Sequence, residues 1–397
     1  MSAPTDSMKA VRKDTMKELY EAFAPVCRTA AMVSLSAIRH NGAVARKLFP
    51  EQKILSILKA DGYGHGIEGV MPAYETFSDW YAVATVEEGL LVRAQTEKPV
   101  LLLGPVPQAQ MTLAAACDLT FTVGSLDYAR TLSEALAEKG LSAQCNLKIE
   151  TGLNRSGVRW RGMEALEVIR AVQAFSNLHF TGTYTHFACG EGREDWELAF
   201  TGLQYDRFTE ALKAMEAAGL SVGLRHCTST GGSLVHPEYR LDMVRLGMLP
   251  MGMSYSDESV EQLGLIPAMT WVSWLRQIEE LPAGEAVSYS CTFRASEDMR
   301  IGMVSCGYAD GYRRAYSNKT RVLIGGKKVR VLGRIAMDYM LVDITDVDCA
   351  VGDPVILLGS DGENLVSAQE LAQFGESVSG EVTCAISPRV RRLYTEE

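Results

Sequence analysis

Several things are missing from this sequence of 397 residues, and each absence removes a class of function. No apolar run approaches the ~20 residues needed to cross a bilayer, and the N-terminal stretch carries no signal-peptide core. The nine cysteines occur singly, without a Cys-x-x-Cys pair or regular spacing, so neither a disulfide framework nor a cysteine metal site is expected. A reducing cytoplasm fits that usage. The six histidines form no His-Glu-x-x-His or related zinc pattern, so no metal is expected. Positive charge is in deficit, with a formal net charge of −10, which argues against nucleic acid or an anionic membrane as partner. What remains is an ordinary globular composition, 47% hydrophobic and 22% charged, long enough for two or three domains.

Residues 1–26 are polar and charged, with a short helical periodicity in Met16, Leu19, Tyr20 and Phe23, and read as an N-terminal extension. Residues 36–49 predict a helix capped by Ser36. A rhythm then begins, with β-rich runs at 53–59, 81–86, 99–103, 119–123, 143–149, 179–186, 222–227 and 243–247. Helices or polar loops separate them. In the helix 125–139, Ser125 is a natural cap, Leu126, Ala129, Leu132 and Leu136 form a stripe, and Gly140 stops it. Another helix is expected over 196–217. Strand–helix alternation implies parallel strands joined by right-handed crossovers. Eight such strands predict a (β/α)8 barrel, whereas an open doubly wound sheet normally uses fewer.

Past Gly252 the rhythm stops. Seven β-type runs follow between Met269 and Leu358 with almost no helix between them, and Gly325-Gly326 signals a tight hairpin. Ser367 and Glu370 fit a capping box opening one short helix, which Gly375 ends. The expected organisation is an extension over 1–26, a (β/α)8 barrel over 27–261 and a mainly antiparallel β domain over 262–397.

In a barrel, chemistry gathers at the carboxyl ends of the strands. Polar residues at those ends are Lys59, Lys148, His186, His226 and Arg245. The stretch Lys53–Gly66 is the most informative, because an apolar strand there delivers Lys59 into a glycine-rich turn with Tyr63 and His65. A lysine held in a low-dielectric site loses its charge readily, and the neutral amine is a nucleophile able to form a Schiff base. A strand-end lysine reaching for water is the plainer alternative. Gly64-His65-Gly66-Ile67-Glu68-Gly69 also matches Gly-x-Gly-x-x-Gly, with Glu87 about where a ribose-binding acid would stand. Against that dinucleotide reading, four residues separate Lys59 from Gly64, and Tyr63 and His65 crowd the turn.

These residues resemble the alanine racemases, pyridoxal-phosphate enzymes built of a barrel and a β domain. Lys59-Ala-Asp-Gly-Tyr-Gly-His-Gly looks like the family's cofactor-lysine motif, and Arg28 through Asn41 is similar to its opening segment. Lys148-Ile-Glu-Thr-Gly-Leu-Asn-Arg155 resembles a segment whose lysine is carbamylated and whose arginine contacts cofactor and substrate. Tyr184-Thr-His186-Phe-Ala resembles a segment whose histidine stacks on the pyridine ring, and Met243-Val-Arg245-Leu-Gly247 one whose arginine faces the pyridine nitrogen. Gly307-Tyr308-Ala-Asp-Gly-Tyr312 and Gly333-Arg334-Ile-Ala-Met337-Asp338 match two β-domain signatures. The resemblance runs from about Cys27 to Arg391.

The resemblance implies pyridoxal 5'-phosphate on Lys59, with Tyr63, Arg155, His186, Ser229, Thr230, Arg245, Gly247 and Met248 also binding the cofactor, and Arg155 and Met337 touching substrate. Racemisation needs one base on each face of Cα, a role implied for Lys59 and for Tyr308. In the family that tyrosine comes from the partner subunit, so a homodimer with shared sites is implied, acting on a small amino acid. Arginine at the pyridine nitrogen, in place of the usual carboxylate, leaves the ring a weaker electron sink and suppresses transamination. The sequence departs from the family at Ser229-Thr230 (usually Asn-Ser), at Pro388 and Met251 (often tyrosines), and at Glu150 and Asn154 (more often Asp and Gly). Alanine is the expected substrate. Serine or a broader range stays open, as does decarboxylation on a similar barrel.

Overall fold

The computed structural model describes Tyr20, Ala22, Phe23, residues 26–254 and residues 257–396. Most of the 1–26 extension, including Met16 and Leu19, lies outside the described residues. Among the described residues no helix is long and apolar enough to cross a membrane. The chain divides into two compact units.

The first unit comprises Arg39–Gly62 and Ile67–Pro250. Its strands are β1 (Lys53–Ile57), β2 (Trp80–Val83), β3 (Val100–Leu102), β4 (Leu119–Val123), β5 (Ala143–Glu150), β6 (Leu178–Tyr184), β7 (Leu224–His226) and β8 (Met243–Leu246). All neighbours are parallel, in the order β8-β1-β2-β3-β4-β5-β6-β7. Between β7 and β8 the ladder is replaced by two backbone bonds, Asp242 N to Arg225 O at 3.0 Å and Arg245 N to Thr228 O at 3.2 Å, so the barrel is nearly closed. Ile54, Leu55, Leu101, Phe121, Leu147, Val244 and Leu246 are fully buried, as expected of strands covered on both faces. A short additional strand, Val158–Arg159, pairs with the end of β5 through Ile149 and Val158.

Two sequence expectations change here. The run 81–86 stops at Val83, because Thr85 accepts a hydrogen bond from Glu88 N and caps a helix over Val86–Arg93. Glu87 therefore lies in a helical first turn, with its carboxylate 2.6 Å from Gln110 Nε2, and not at a strand end. The helix expected to start from Ser36 begins at Leu35, where Ser34 Oγ accepts from Ala37 N at 3.1 Å. Ser125 does cap its helix, accepting from Tyr128 N at 3.2 Å.

The second unit takes the described residues up to Ile38, Tyr63–Gly66, and the chain from Met251 onward. Six strands form a ring through antiparallel pairs: Met269–Leu281, Met299–Val304, Met340–Asp343, Lys327–Leu332, Arg321–Ile324 and Pro354–Ser360, the last pairing back with the first. Gly325-Gly326 is the turn of the Ile324–Lys327 hairpin. Ser367 caps the helix Ala368–Phe374 through Glu370 N at 2.9 Å, and the Glu370 carboxylate also reaches Lys328 Nζ at 2.6 Å.

The expected barrel boundaries at 27 and 261 are displaced. Thr29–Ser34 pairs antiparallel with Met269–Leu281 and parallel with Arg391–Thr395, so it extends the β unit. Its alanines carry little strand signal, and tertiary partners impose the conformation. Thr29 Oγ1 accepts from Trp271 Nε1 at 2.7 Å, and Tyr20, Cys27, Ala30, Met32, Val272 and Trp274 pack as one cluster. Residues 251–261 likewise fall in this unit, where Ala268 N donates to Met251 O at 3.0 Å.

Candidate active site

Strand β1 ends one residue before Leu58, and Lys59 opens a turn of unusual handedness. Ala60, Asp61, Gly62 and Tyr63 all take left-handed helical angles, with φ of 55°, 52°, 61° and 53°. For non-glycine residues that conformation costs roughly 1–2 kcal/mol each, and it persists only where neighbours over-determine it. Glu88 accepts from Ala60 N at 2.7 Å, Gly62 N donates to Leu58 O at 2.8 Å, and Asp61 Oδ1 accepts from Ile67 N at 2.8 Å to open the next helix. Ala60→Gly is expected to stabilise the protein by about 0.5–1 kcal/mol, since strain relief exceeds the added unfolded-state entropy. A higher denaturation midpoint at unchanged slope would show it.

The glycines after this turn belong to the β unit. Arg392 Nε donates to Gly64 O at 3.0 Å and Tyr394 Oη to His65 O at 3.1 Å. A Cβ on Gly64 would run into Thr383 O, and one on Gly66 into Tyr394 Oη. Gly64 and Gly66 are therefore required by protein packing, which removes the dinucleotide reading. Burial pushes the Tyr63 phenol up to about 12, so it remains a hydrogen-bond donor.

At the carboxyl ends of β5 to β8 the barrel unit builds a cationic cluster. Arg245 is buried, and its bonds go to uncharged acceptors: Thr185 O at 3.0 Å, Cys227 O at 2.9 Å, His186 Nδ1 at 3.0 Å and His226 Nδ1 at 3.2 Å. A guanidinium only donates, so each neutral imidazole accepts at Nδ1 and carries its proton on Nε2, and the Asn146 side-chain amide 3.3 Å from His226 Nε2 must then present its oxygen there. Burial first, and then Arg245, Arg155, Lys148 and Lys59, lower His186 to about 3, which keeps it neutral. Burial and Arg245 likewise hold His226 far below the ordinary range. Underneath, the Tyr184 and His226 rings stack at 4.8 Å, and Tyr184 Oη meets Thr122 Oγ1 at 3.0 Å.

Lys148 Nζ donates to Ser156 Oγ at 2.7 Å and lies 5.5 Å from the Tyr184 ring centre. Burial, with Arg155 and Arg245, lowers its pKa to about 8, so a substantial neutral-amine fraction exists near neutral pH. Glu150 folds the following loop by accepting from Gly152 N at 2.6 Å and Arg155 N at 3.1 Å. Burial raises that carboxyl, but the backbone N–H groups of Asn154, Gly152 and Arg155 prevail and hold it below the usual carboxylate range. Asn154 has φ of 58°, a left-handed position that asparagine tolerates better than other side chains. Thr230 Oγ1 accepts from Gly247 N at 3.2 Å, which leaves the Thr230 hydroxyl proton to donate elsewhere and places Ser229-Thr230 beside Gly247-Met248.

The arrangement fits the cofactor that the sequence pattern implies. Lys59, Lys148, Arg155 and Arg245 all bear electrostatically on the neutral His186, and the neighbouring Glu150 carboxylate is already engaged by backbone N–H groups. A cluster of that sign is suited to a planar ligand carrying a phosphate and to a substrate carboxylate.

Tyr308 and Met337 meet in the β unit. Tyr308 N donates to Ala336 O at 3.1 Å and Ala309 N to Met337 O at 3.0 Å. Gly307 allows this approach, because a Cβ there would collide with Ala336 O and Met337 O. The buried Asp310 accepts from Gly307 N at 3.0 Å. Arg389 and Arg28 bind Asp338 at 2.8 and 3.3 Å and approach Asp310 at 3.5 and 3.8 Å, tying the two loops together. Pro388 is exposed beside them, in a turn closed by Val390 N to Ser387 O at 3.1 Å.

Of the residues singled out from sequence, Lys59, Lys148, Arg155, His186 and Arg245 share one electrostatic cluster. Tyr63, Tyr308 and Met337 fall in the β unit. Sequence reasoning noted His226 only as a polar strand end, yet it holds Arg245. It missed Tyr184 as the platform and Glu88 as the clamp on the lysine turn; the Thr85–Glu88 capping pattern was the available signal for Glu88.

Comparison with known proteins points to one family over most of the chain. The profile for "Alanine racemase, N-terminal domain" matches residues 33–254, and that for "Alanine racemase, C-terminal domain" matches residues 268–394. The chain is 33% identical to an alanine racemase of Halothermothrix orenii, over 92% of this chain and 96% of that one. It is 36% identical to one of Desulfovibrio desulfuricans, over 92% and 98%. Among solved structures, an alanine racemase of Clostridium difficile aligns with a TM-score of 0.87 at 31% identity, covering 93% of this chain and 96% of that one. One of Streptomyces coelicolor aligns at 0.87 and 30%, covering 95% and 100%.

Proposed function

The chain belongs to the alanine racemase family, an isomerase interconverting L- and D-alanine, and we propose that it works by two bases around pyridoxal 5'-phosphate held on Lys59. The observation that carries this reading is the cationic cluster in which Lys59, Arg155 and Arg245 surround a neutral His186.

When bound, pyridoxal phosphate supplies the electron sink that lets Cα of an amino acid release its proton. Lys59 Nζ, as a free amine once the substrate has taken its place on the cofactor, would take or return that proton on one face, and Tyr308 Oη of the partner subunit would serve the other. Arg245, which stays protonated, would face the pyridine nitrogen and limit the charge the ring accepts, favouring prompt return of the proton. His186, neutral and fixed by Arg245 at Nδ1, offers its ring for stacking. Ser229, Thr230, Tyr63 and Met248 would hold the phosphate by donating to it, with Gly247 setting the Thr230 hydroxyl through its N–H. Arg155 receives the substrate carboxylate, and Met337 forms part of the pocket wall. The Lys148 amine combines with carbon dioxide, forming an N–C bond and releasing a proton, and the resulting carbamate balances Arg155 and Arg245.

The 42% and 53% exposure of Tyr308 and Met337 supports a homodimer in which each copy completes the other's site. All nine cysteines are free, which suits a reducing cytoplasm. A panel of L-amino acids assayed by chiral chromatography tests the activity. D-alanine should form from L-alanine and the reverse, with serine and larger side chains much slower. Release of carbon dioxide or ammonia without D-product would defeat the reading.

A further inference from the structure

The carboxylate of Glu88 gathers backbone N–H groups from two separate segments. Oε2 accepts from Ala84 N at 2.9 Å and Thr85 N at 3.3 Å, while Thr85 Oγ1 accepts from Glu88 N at 3.2 Å. That is a capping box, and it accounts for one oxygen. Oε1 turns the other way, to Ala60 N at 2.7 Å and Asp61 N at 3.4 Å. Those are the first two left-handed residues after Lys59, with φ of 55° and 52°, and neither is glycine.

A helix cap has no need of the second pair of bonds, and the strained turn has every need of them. Backbone in this region relaxes toward right-handed or extended angles unless its N–H groups are held. Release of Ala60 N from Glu88 would let the Lys59–Ala60 peptide plane turn, and with it the backbone that aims the lysine side chain. From this geometry we infer that Glu88 is a positioning residue that sets the direction of the Lys59 side chain through the left-handed turn. The inference rests on the proposed attachment of the cofactor to Lys59.

Glu88→Gln places an amide, which has only one acceptor oxygen, where two pairs of N–H groups converge. Glu88→Asp keeps the charge near the cap but withdraws it from Ala60 by about one C–C bond, roughly 1.5 Å. Thr85→Ala damages the cap alone. With the holoenzyme, borohydride reduction followed by peptide mapping reads how fast the cofactor is fixed to Lys59, and a pH titration of the visible cofactor band reads the amine's environment. Both Glu88 variants are expected to lower kcat on the order of 10- to 100-fold with little change in KM, to slow trapping at Lys59 and to move the midpoint of the band. Thr85→Ala should reduce stability and leave trapping and midpoint unchanged. If both Glu88 variants trap and titrate like the wild type, or Thr85→Ala reproduces their loss, the inference is overturned. Absence of a Lys59 adduct in the wild type would overturn the cofactor assignment itself, and this inference with it.

Discussion

Lys59→Ala is expected to abolish racemisation, with a loss of about 10³-fold or more, because one substitution removes both the proposed cofactor anchor and the proposed base of one face. The visible band of the purified protein should vanish with it. The fold should survive, since Lys59 is only half-buried and the turn behind it is held by the Glu88 carboxylate on Ala60 N and the Leu58 carbonyl on Gly62 N. A thermal transition close to wild type, together with absent D-alanine formation, is the expected pair of results. An intact band and measurable turnover in Lys59→Ala would shift the anchor to another lysine, with Lys148 the nearest alternative in the same cluster.

Tyr308→Phe should have the second largest effect, and its pattern is more diagnostic than its size. Removing a general acid–base typically costs about 10²–10⁴-fold. An enzyme cannot alter the equilibrium between the enantiomers, so kcat/KM must fall equally in both directions. Proton exchange behaves differently, because Lys59 still reaches one face. In deuterated water one enantiomer should take up deuterium at Cα at near the normal rate, while the other stays protiated. Equal, nearly normal wash-in for both enantiomers would eliminate Tyr308 as a base. The substitution removes a hydroxyl from an exposed side chain, while the loop is fixed by main-chain bonds to Ala336 and Met337, so stability should barely change.

The neutral His186 gives the site a further character. Burial first, and then cationic neighbours led by Arg245 and Arg155, keep its imidazole deprotonated down to about 3, far below any working pH. Arg245 reinforces this by donating to Nδ1, since protonation would place a second donor against the guanidinium. The pair therefore supplies a fixed direction for Arg245 and does not act as a proton store. The same reasoning covers His226 on the opposite side of Arg245, whose ring is further held by stacking on Tyr184.

The barrel was legible because strands covered on both faces show as unbroken apolar runs, and runs such as Lys53–Lys59 and Ala143–Ile149 stand out against any helix. The Ser125 and Ser367 caps and the Gly325-Gly326 turn were legible for a similar reason, since each depends on neighbours within a few residues. Where the partner is distant, reading failed. Thr29–Ser34 is a strand because Met269–Leu281 and Arg391–Thr395 flank it, and its own alanines say little. The cap at Ser34 instead of Ser36 depends on where that strand releases the chain.

The candidate site divides along the same line. The sequence by itself picked out the side chains proposed to carry the chemistry, because Lys59, Arg155, His186, Arg245 and Tyr308 sit in local motifs whose residue types suit proton transfer and anion binding. Only the tertiary structure decided their states: that His186 is neutral, that Lys148 titrates near 8, and that Lys59 leaves its strand through a left-handed turn. Those properties come from burial and from charges and N–H groups far away in the chain. The energy of a buried proton or a strained dihedral is set by what surrounds it in space, which neighbours in sequence do not specify.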